Sequence, residues 1–237
     1  MPAAFLPSPA RSVWDLGPIP VRGYALCVVL GIVVALWIAD RRYRLMGGRA
    51  GLVLDIATLA VPAGLIWARL YTVVTDYQLY FGPGRDWANI LRIWDGGLGL
   101  PGGVAAGALG AWVACRRAGV GLSPVALVAA PALAFGQAIG VWGNWFSQAR
   151  YGPPSAVPWA VEIAPGHRVT GYESFATFQP LFLYESLWAL LLGVLLIYVI
   201  RQLQPTGDRA FALYAGLYAI GRFCAEALLI GGSPRIL

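Results

Sequence analysis

Six times along this sequence, a run of mostly apolar residues close to twenty in length, or longer, is set off by charged residues. A helix of roughly 20 such residues crosses the ~30 Å hydrocarbon core of a bilayer. The runs fall at 23–39, about 53–74 (broken by Asp55, Pro62 and Arg69), 96–115, 118–149, about 181–200 (containing Glu185) and about 210–229 (containing Arg222 and Glu226). The fourth is too long for one span and reads as a helix over about 123–139 followed by an irregular segment. The first lacks an Ala-x-Ala-type site after it and is expected to stay as a helix rather than be cleaved as a leader. The expected fold is an all-α polytopic membrane protein with six transmembrane helices, forming a single transmembrane domain over 1–237.

Composition agrees. Hydrophobic residues make up 59% of the 237 and charged residues 12%, about half the ~25% usual in soluble domains. Disorder is excluded by the same hydrophobicity. The basic residues are all Arg, and the net charge is +6. In so apolar a chain that charge marks cytoplasmic loops rather than nucleic-acid binding. Arg41, Arg42, Arg44 and Arg49 follow the first run, Arg116 and Arg117 the third, and Arg201 and Arg209 the fifth. Alternating spans put all three loops on one side, which is expected to be cytoplasmic, with the N-terminus extracytoplasmic. The outward connections are then 76–95 and 151–180. The latter, with Glu162, His167, Arg168 and Glu173, reads as a small extracytoplasmic cap. Cys27, Cys115 and Cys224 show no metal-ligand spacing, and His167 is the sole histidine, so neither a disulfide framework nor a histidine metal centre is supported.

Ionisable side chains at membrane depth are costly and are functional candidates by default. Arg69, Glu185, Arg222 and Glu226 qualify, with Asn144, Gln137 and Gln148 as neutral polar companions. Arg222 and Glu226 lie one helical turn apart. They read either as a self-satisfied ion pair or as a guanidinium that holds an anion beside a carboxylate that orients it or manages a proton. Arg69 reads as a snorkelling side chain or a ligand group. The glycines of GGLGLPGG (96–103) and GVWGN (140–144) permit close helix packing or close approach of backbone to a ligand, and spacing does not choose. Asn144 either caps the irregular segment or binds substrate.

The segment GQAIGVWGNWFSQARYGPPSAVPWAVEI resembles the signature of the bacterial prolipoprotein diacylglyceryl transferases, in particular those of actinobacteria. VRGYAL, ARLYTVVTDYQLYF, IWDGGLGLPGG, FQPLFLYESLW and LYAIGRFCAE resemble further pieces of that family in the same order, over about 19–226. The resemblance implies an enzyme of the bacterial plasma membrane that moves the diacylglyceryl group of phosphatidylglycerol to the lipobox cysteine thiol of a prolipoprotein and releases glycerol phosphate, without metal or organic cofactor. Its implied partners are phosphatidylglycerol, prolipoprotein signal peptides and membrane lipids.

Tyr24, Asn144, Gly152, Tyr218, Arg222, Glu226, Arg69 and Glu185 match positions that the family uses. On this basis Arg222, Glu226, Tyr24 and Tyr218 are expected to be catalytic. Asn144, Gly152, Arg69, Gln148 and Glu185 are expected to bind substrate. Val141 stands where the signature has an arginine, Ala149 where it has a glutamate, and Gln179 before the proline where a histidine is usual. Pro101 takes the place of a histidine found in proteobacterial members. The sequence ends at Leu237, ahead of the family's last helix. Arg150, Arg69 and Arg222 are left to supply the guanidinium missing at 141. A catalytically degenerate relative that binds lipid or precursor without turnover is the alternative. A transporter or channel is disfavoured by the few buried charges and the lack of a repeated half.

Overall fold

A computed structural model describes residues 5–9, 11–16, 19–81, 90 and 99–230. Two strands, β1 (Val13–Leu16) and β2 (Ile19–Arg22), pair antiparallel and lead directly into α1 (Gly23–Leu45). There follow α2 (Leu52–Thr75), α3 (Leu100–Arg117), α4 (Leu122–Gly140) and the short α5 (Gly143–Ser147). A two-residue strand pair, β3 (Val161–Glu162) with β4 (Thr177–Phe178), precedes α6 (Leu181–Leu203) and α7 (Gly207–Leu228).

Among the described residues, five helices are long and apolar enough to cross a membrane: α1, α2, α4 continued through α5, α6 and α7. Their exteriors suit lipid, since α1 exposes Leu26, Val29, Leu30 and Val33 and α6 exposes Leu187, Leu191 and Val194. The run expected at 96–115 is helical from Leu100 as α3, which is built largely of Ala and Gly and ends in Arg116 and Arg117. Residues 82–89 and 91–98, which hold most of the expected 76–95 connection and the start of GGLGLPGG, lie outside the described residues. α1 runs beyond the expected end at 39, through Asp40-Arg41-Arg42 to Leu45. Charges do not stop a helix when they pair along it, and Arg44 Nε meets Asp40 one turn back at 2.9 Å.

The chain forms two compact units, residues 1–37 with 129–237, and residues 38–128. In the first, α1 and α4 meet backbone to backbone. A Cβ on Gly31 would stand 2.5 Å from the Gly136 carbonyl oxygen, and one on Gly136 2.7 Å from that of Gly31. Only glycine allows that approach. Ala130 and Ala134 of α4 pack with Leu192 and Leu196 of α6 and Tyr214 of α7. Ser186 shows how a buried hydroxyl is satisfied away from water. Ser186 Oγ donates to the Ala138 carbonyl at 2.8 Å and accepts from Trp142 Nε1 at 3.1 Å.

The segment between α5 and α6 has its own small core of Tyr151, Val161, Ile163 and Phe178, packed against Phe182 at the start of α6. The N-terminal stretch joins it: Leu6 N–H donates to Ala160 O and Glu162 N–H to Leu6 O, each at 2.8 Å. Tyr151 OH donates to His167 O at 2.6 Å and accepts from Val169 N–H at 2.8 Å. Burial pushes this phenol above its ordinary value, against smaller opposing effects of the Val169 N–H and Arg168.

In the second unit, α3 lays its small residues on α2, with Gly103 against Gly64 and Ala68, and Gly110 against Ala60. The α1–α2 turn uses glycine at Gly47 and Gly51, both at φ 82°, where L residues are strained. Gly51 N–H donates to Asp40 Oδ1 at 3.1 Å and closes the turn.

Candidate functional site

In the first unit, two helices and a loop bring four ionisable side chains together. Glu185 stands in the second turn of α6, Arg222 and Glu226 one turn apart near the end of α7, and Arg150 in the loop after α5. Arg222 Nη1 donates to Glu185 Oε1 at 3.4 Å, and its Nη2 lies 3.3 Å from Glu226 Oε2. Arg150 Nη2 donates to Glu226 Oε2 at 2.8 Å and lies 3.9 Å from Glu185 Oε1. Arg222 and Glu226 are therefore more than a self-contained pair on one helix, because both partners are shared with other elements.

The four differ in access. Glu185 and Arg150 expose 12% and 20% of their side chains, Arg222 and Glu226 39% and 47%. A ligand can reach the α7 pair directly. Charge-assisted hydrogen bonds of full strength run ~2.7–2.9 Å, so Arg222, at 3.3 and 3.4 Å, is held loosely while Arg150 on Glu226 is tight.

The loop that carries Arg150 is fixed on both sides. Gln148 ends α5 in the left-handed region at φ 49°, which turns the chain out of the helix. Its buried side-chain oxygen accepts from Ala164 N–H at 2.8 Å. Gly152 N–H donates to Gln179 O at 2.9 Å, ahead of α6, and Ile230 N–H donates to Tyr151 O at 3.3 Å, just past α7. Gly152 has little room for a side chain, since a Cβ would sit 3.0 Å from Gln179 Cβ and 3.3 Å from Leu228 O.

Other contacts hold the remaining residues singled out from the sequence. Tyr24 begins α1 with half its surface exposed, and its backbone and ring edge abut Gly143, where a Cβ would meet Tyr24 Cδ2 at 2.7 Å. Asn144 is half-buried in α5, with its N–H on Val141 O and its carbonyl accepting from Gln148 N–H, each at 3.0 Å. Tyr218 is stacked on Tyr214 at 6.1 Å between centroids, on the bundle core. Arg69 lies in the second unit and is buried, so it does not snorkel. Its Nε donates to Ile90 O at 2.9 Å and its guanidinium lies over the Tyr80 ring. Sequence reasoning named Arg150 only as one of three arginines left to supply the guanidinium missing at 141, and did not place it against Glu226. The signal was there, an arginine beside the family-like signature where Val141 and Ala149 depart from it, but no spacing rule reaches from residue 150 to residue 226.

Long apolar helices enclosing a shared arginine–glutamate network define a polytopic membrane protein with a charged site among its spans. A sequence profile of the prolipoprotein diacylglyceryl transferase family matches residues 11–231. Among curated relatives, a phosphatidylglycerol–prolipoprotein diacylglyceryl transferase of Streptomyces griseus is 49% identical over all of this chain and 72% of its own length. One named phosphatidylglycerol–prolipoprotein diacylglyceryl transferase 1, from Streptomyces coelicolor, is 50% identical over all of this chain and 68% of its own. A phosphatidylglycerol–prolipoprotein diacylglyceryl transferase of Cutibacterium acnes is 46% identical over 98% of this chain and 78% of its own. The chain belongs to the prolipoprotein diacylglyceryl transferase family.

Proposed function

We infer that this protein transfers the diacylglyceryl group of phosphatidylglycerol to the cysteine thiol of a prolipoprotein, with the chemistry at Arg222, Glu226, Glu185 and Arg150. The observation that carries the site is the shared ion-pair network itself, reachable from outside the protein through the exposed Arg222 and Glu226.

The transfer forms a bond from sulfur to the glyceryl carbon that bears the phosphate. It breaks the carbon–oxygen bond, and the electron pair leaves with the phosphate as glycerol phosphate. The thiol must lose its proton, because the thiolate is the nucleophile, so a base must stand near. Glu226, a carboxylate with nearly half its side chain exposed, takes that role. Two guanidiniums and two carboxylates sum to zero. A thiol proton placed on Glu226 brings the cluster to +1 at the step in which the phosphate goes from one negative charge toward two. Stabilisation then grows with the charge that develops in the transition state, as electrostatic catalysis requires. Arg222 supplies the planar fork that suits a phosphate, and its loose contacts leave it free to turn onto one. Glu185 holds both arginines from below. Tyr24, Tyr218 and Asn144 are assigned to orienting the substrates around this cluster, Gly152 and Gln148 to fixing the loop that carries Arg150, and Arg69 to substrate binding, as the resemblance implies.

In this reading the chain is one transmembrane domain over 1–237, with α3 as a sixth span, the N-terminus extracytoplasmic and the 151–180 segment a cap on the same outer side. The arginines at or just beyond the C-terminal ends of α1, α3 and α6 then all face the cytoplasm, as the positive-inside rule demands. Phosphatidylglycerol enters from the surrounding lipid, and the prolipoprotein presents its signal peptide from the membrane.

The test is complementation of a bacterial strain depleted of its own transferase, with lipoprotein mass as the readout. Restored growth and the diacylglyceryl mass increment are expected. Unmodified precursor, in cells that hold the protein at normal levels, contradicts the reading.

A further inference from the structure

Arginine has five N–H donors in a rigid fork, and a buried one left unpaired is costly. In Arg150, Nη2 is engaged by the two carboxylates, whereas Nε is buried and finds no acceptor among the described residues. The loop is built to hold this side chain in place: the turn at Gln148, the Gly152–Gln179 bond and the Ile230–Tyr151 bond fix the backbone on either side of residue 150. Nε is closed off, but a fifth of the side chain is exposed, and at that exposed edge the fixed, charged fork can receive an acceptor from outside the protein.

Charge points the same way. With Arg150 removed, Arg222 faces Glu185 and Glu226 alone and the cluster is −1, which repels an anion. With Arg150 present it is neutral, and an anion can bind to the two forks. Position 141, where the family signature carries an arginine, is valine here and can neither donate a hydrogen bond nor neutralise a phosphate.

We propose that Arg150 is a second phosphate-holding residue of the site, so that the lipid headgroup is held between Arg150 and Arg222. The inference rests on the reading of the cluster as a phosphatidylglycerol site. Between turnovers Arg150 also holds the Glu226 carboxylate, in a charge-assisted contact of 2.8 Å. Binding of phosphate oxygen to the fork loosens that hold as substrate arrives.

The experiment compares phosphatidylglycerol with diacylglycerol, which has the same acyl chains and no phosphate, on the full-length protein in detergent by native mass spectrometry. Wild type is expected to retain phosphatidylglycerol preferentially. Arg150→Gln is expected to lose about tenfold of that preference, the size of one charge-assisted contact. Arg150→Lys keeps the charge and the ion pair with Glu226 but not the fork, guards against simple misfolding, and is expected to lose about threefold or more. Diacylglycerol binding should be unchanged in both. Either variant within about twofold of wild type, or equal loss of both lipids as a merely structural role would give, overturns the proposal while leaving the proposed function standing. A wild-type protein with no preference for phosphatidylglycerol overturns both.

Discussion

Arg222→Gln is the perturbation whose two effects the structure separates most clearly. The substitution keeps a polar side chain of moderate size but removes the charge, which takes the cluster from neutral to −1. Glu226 keeps its 2.8 Å partner Arg150, while Glu185 is left with Arg150 at 3.9 Å. The lost pairs were long, 3.3 and 3.4 Å, and the arginine side chain is 39% exposed, so their contribution to stability is that of a screened surface pair, at most ~1 kcal/mol. The catalytic loss is larger. Once bound phospholipid has displaced water from the cluster, a lost charge-assisted donor costs ~2.7–4 kcal/mol of transition-state stabilisation, or ~10²–10³ in turnover. The assay uses purified protein, phosphatidylglycerol and a lipobox peptide with one cysteine, followed by the mass of the peptide, beside a thermal melt of helicity. The expected result is a fall of two to three orders of magnitude with nearly the same melting temperature. Turnover within about fivefold of wild type, at equal folded amount, refutes the argument. So does a collapse of the melt, because it makes Arg222 a structural residue.

Adding Val141→Arg to Arg150→Gln returns a guanidinium to the signature position and is expected to recover about tenfold or more of the lost turnover in the same peptide assay. Gly31→Val places a side chain against the Gly136 carbonyl, 2.5 Å from where its Cβ would stand, and is expected to destabilise the α1–α4 contact by ~1–3 kcal/mol or to separate the helices, read as a lowered melting temperature in detergent. Tyr151→Phe keeps the ring packing against Phe178 but removes the donor to His167 O and the acceptor for Val169 N–H, and is expected to cost ~1–3 kcal/mol of local stability, seen as faster amide exchange at Val169. The Tyr151 phenol is raised in the folded protein from a free value of 10.0, mainly by burial. The unfolded chain therefore ionises first, so the stability it contributes is complete below that pH and is lost as pH rises through the folded value. The phenylalanine variant should lack this alkaline loss.

The helices were legible because the bilayer imposes a length and a composition on anything that crosses it. Four apolar runs became helices of the expected kind, α1, α2, α6 and α7. The 96–115 run became α3, which among the described residues is not one of the helices long and apolar enough to cross a membrane, and the long 118–149 run divided at Val141–Trp142 into α4 and α5. Helix ends were less legible, since Asp40 and Arg44 pair along α1 and carry it past the charges expected to end it. The β1–β2 pair was missed because four-residue strands beside a proline leave little alternation to detect. At the site, Arg222 and Glu226 were legible as one helix face, and Glu185 as a charge in an apolar run. Arg150 was not, because its place against Glu226 depends on the Gln148 turn and the bonds from Gly152 and Tyr151, which are long-range contacts without a sequence period.

The central claim is that this charge cluster carries out group transfer from a phospholipid and does not merely bind one. Purified protein, given phosphatidylglycerol and the cysteine peptide, should release glycerol phosphate and gain diacylglyceryl on the peptide in equal amounts. Phosphatidylglycerol held at the site, with neither product formed, contradicts it.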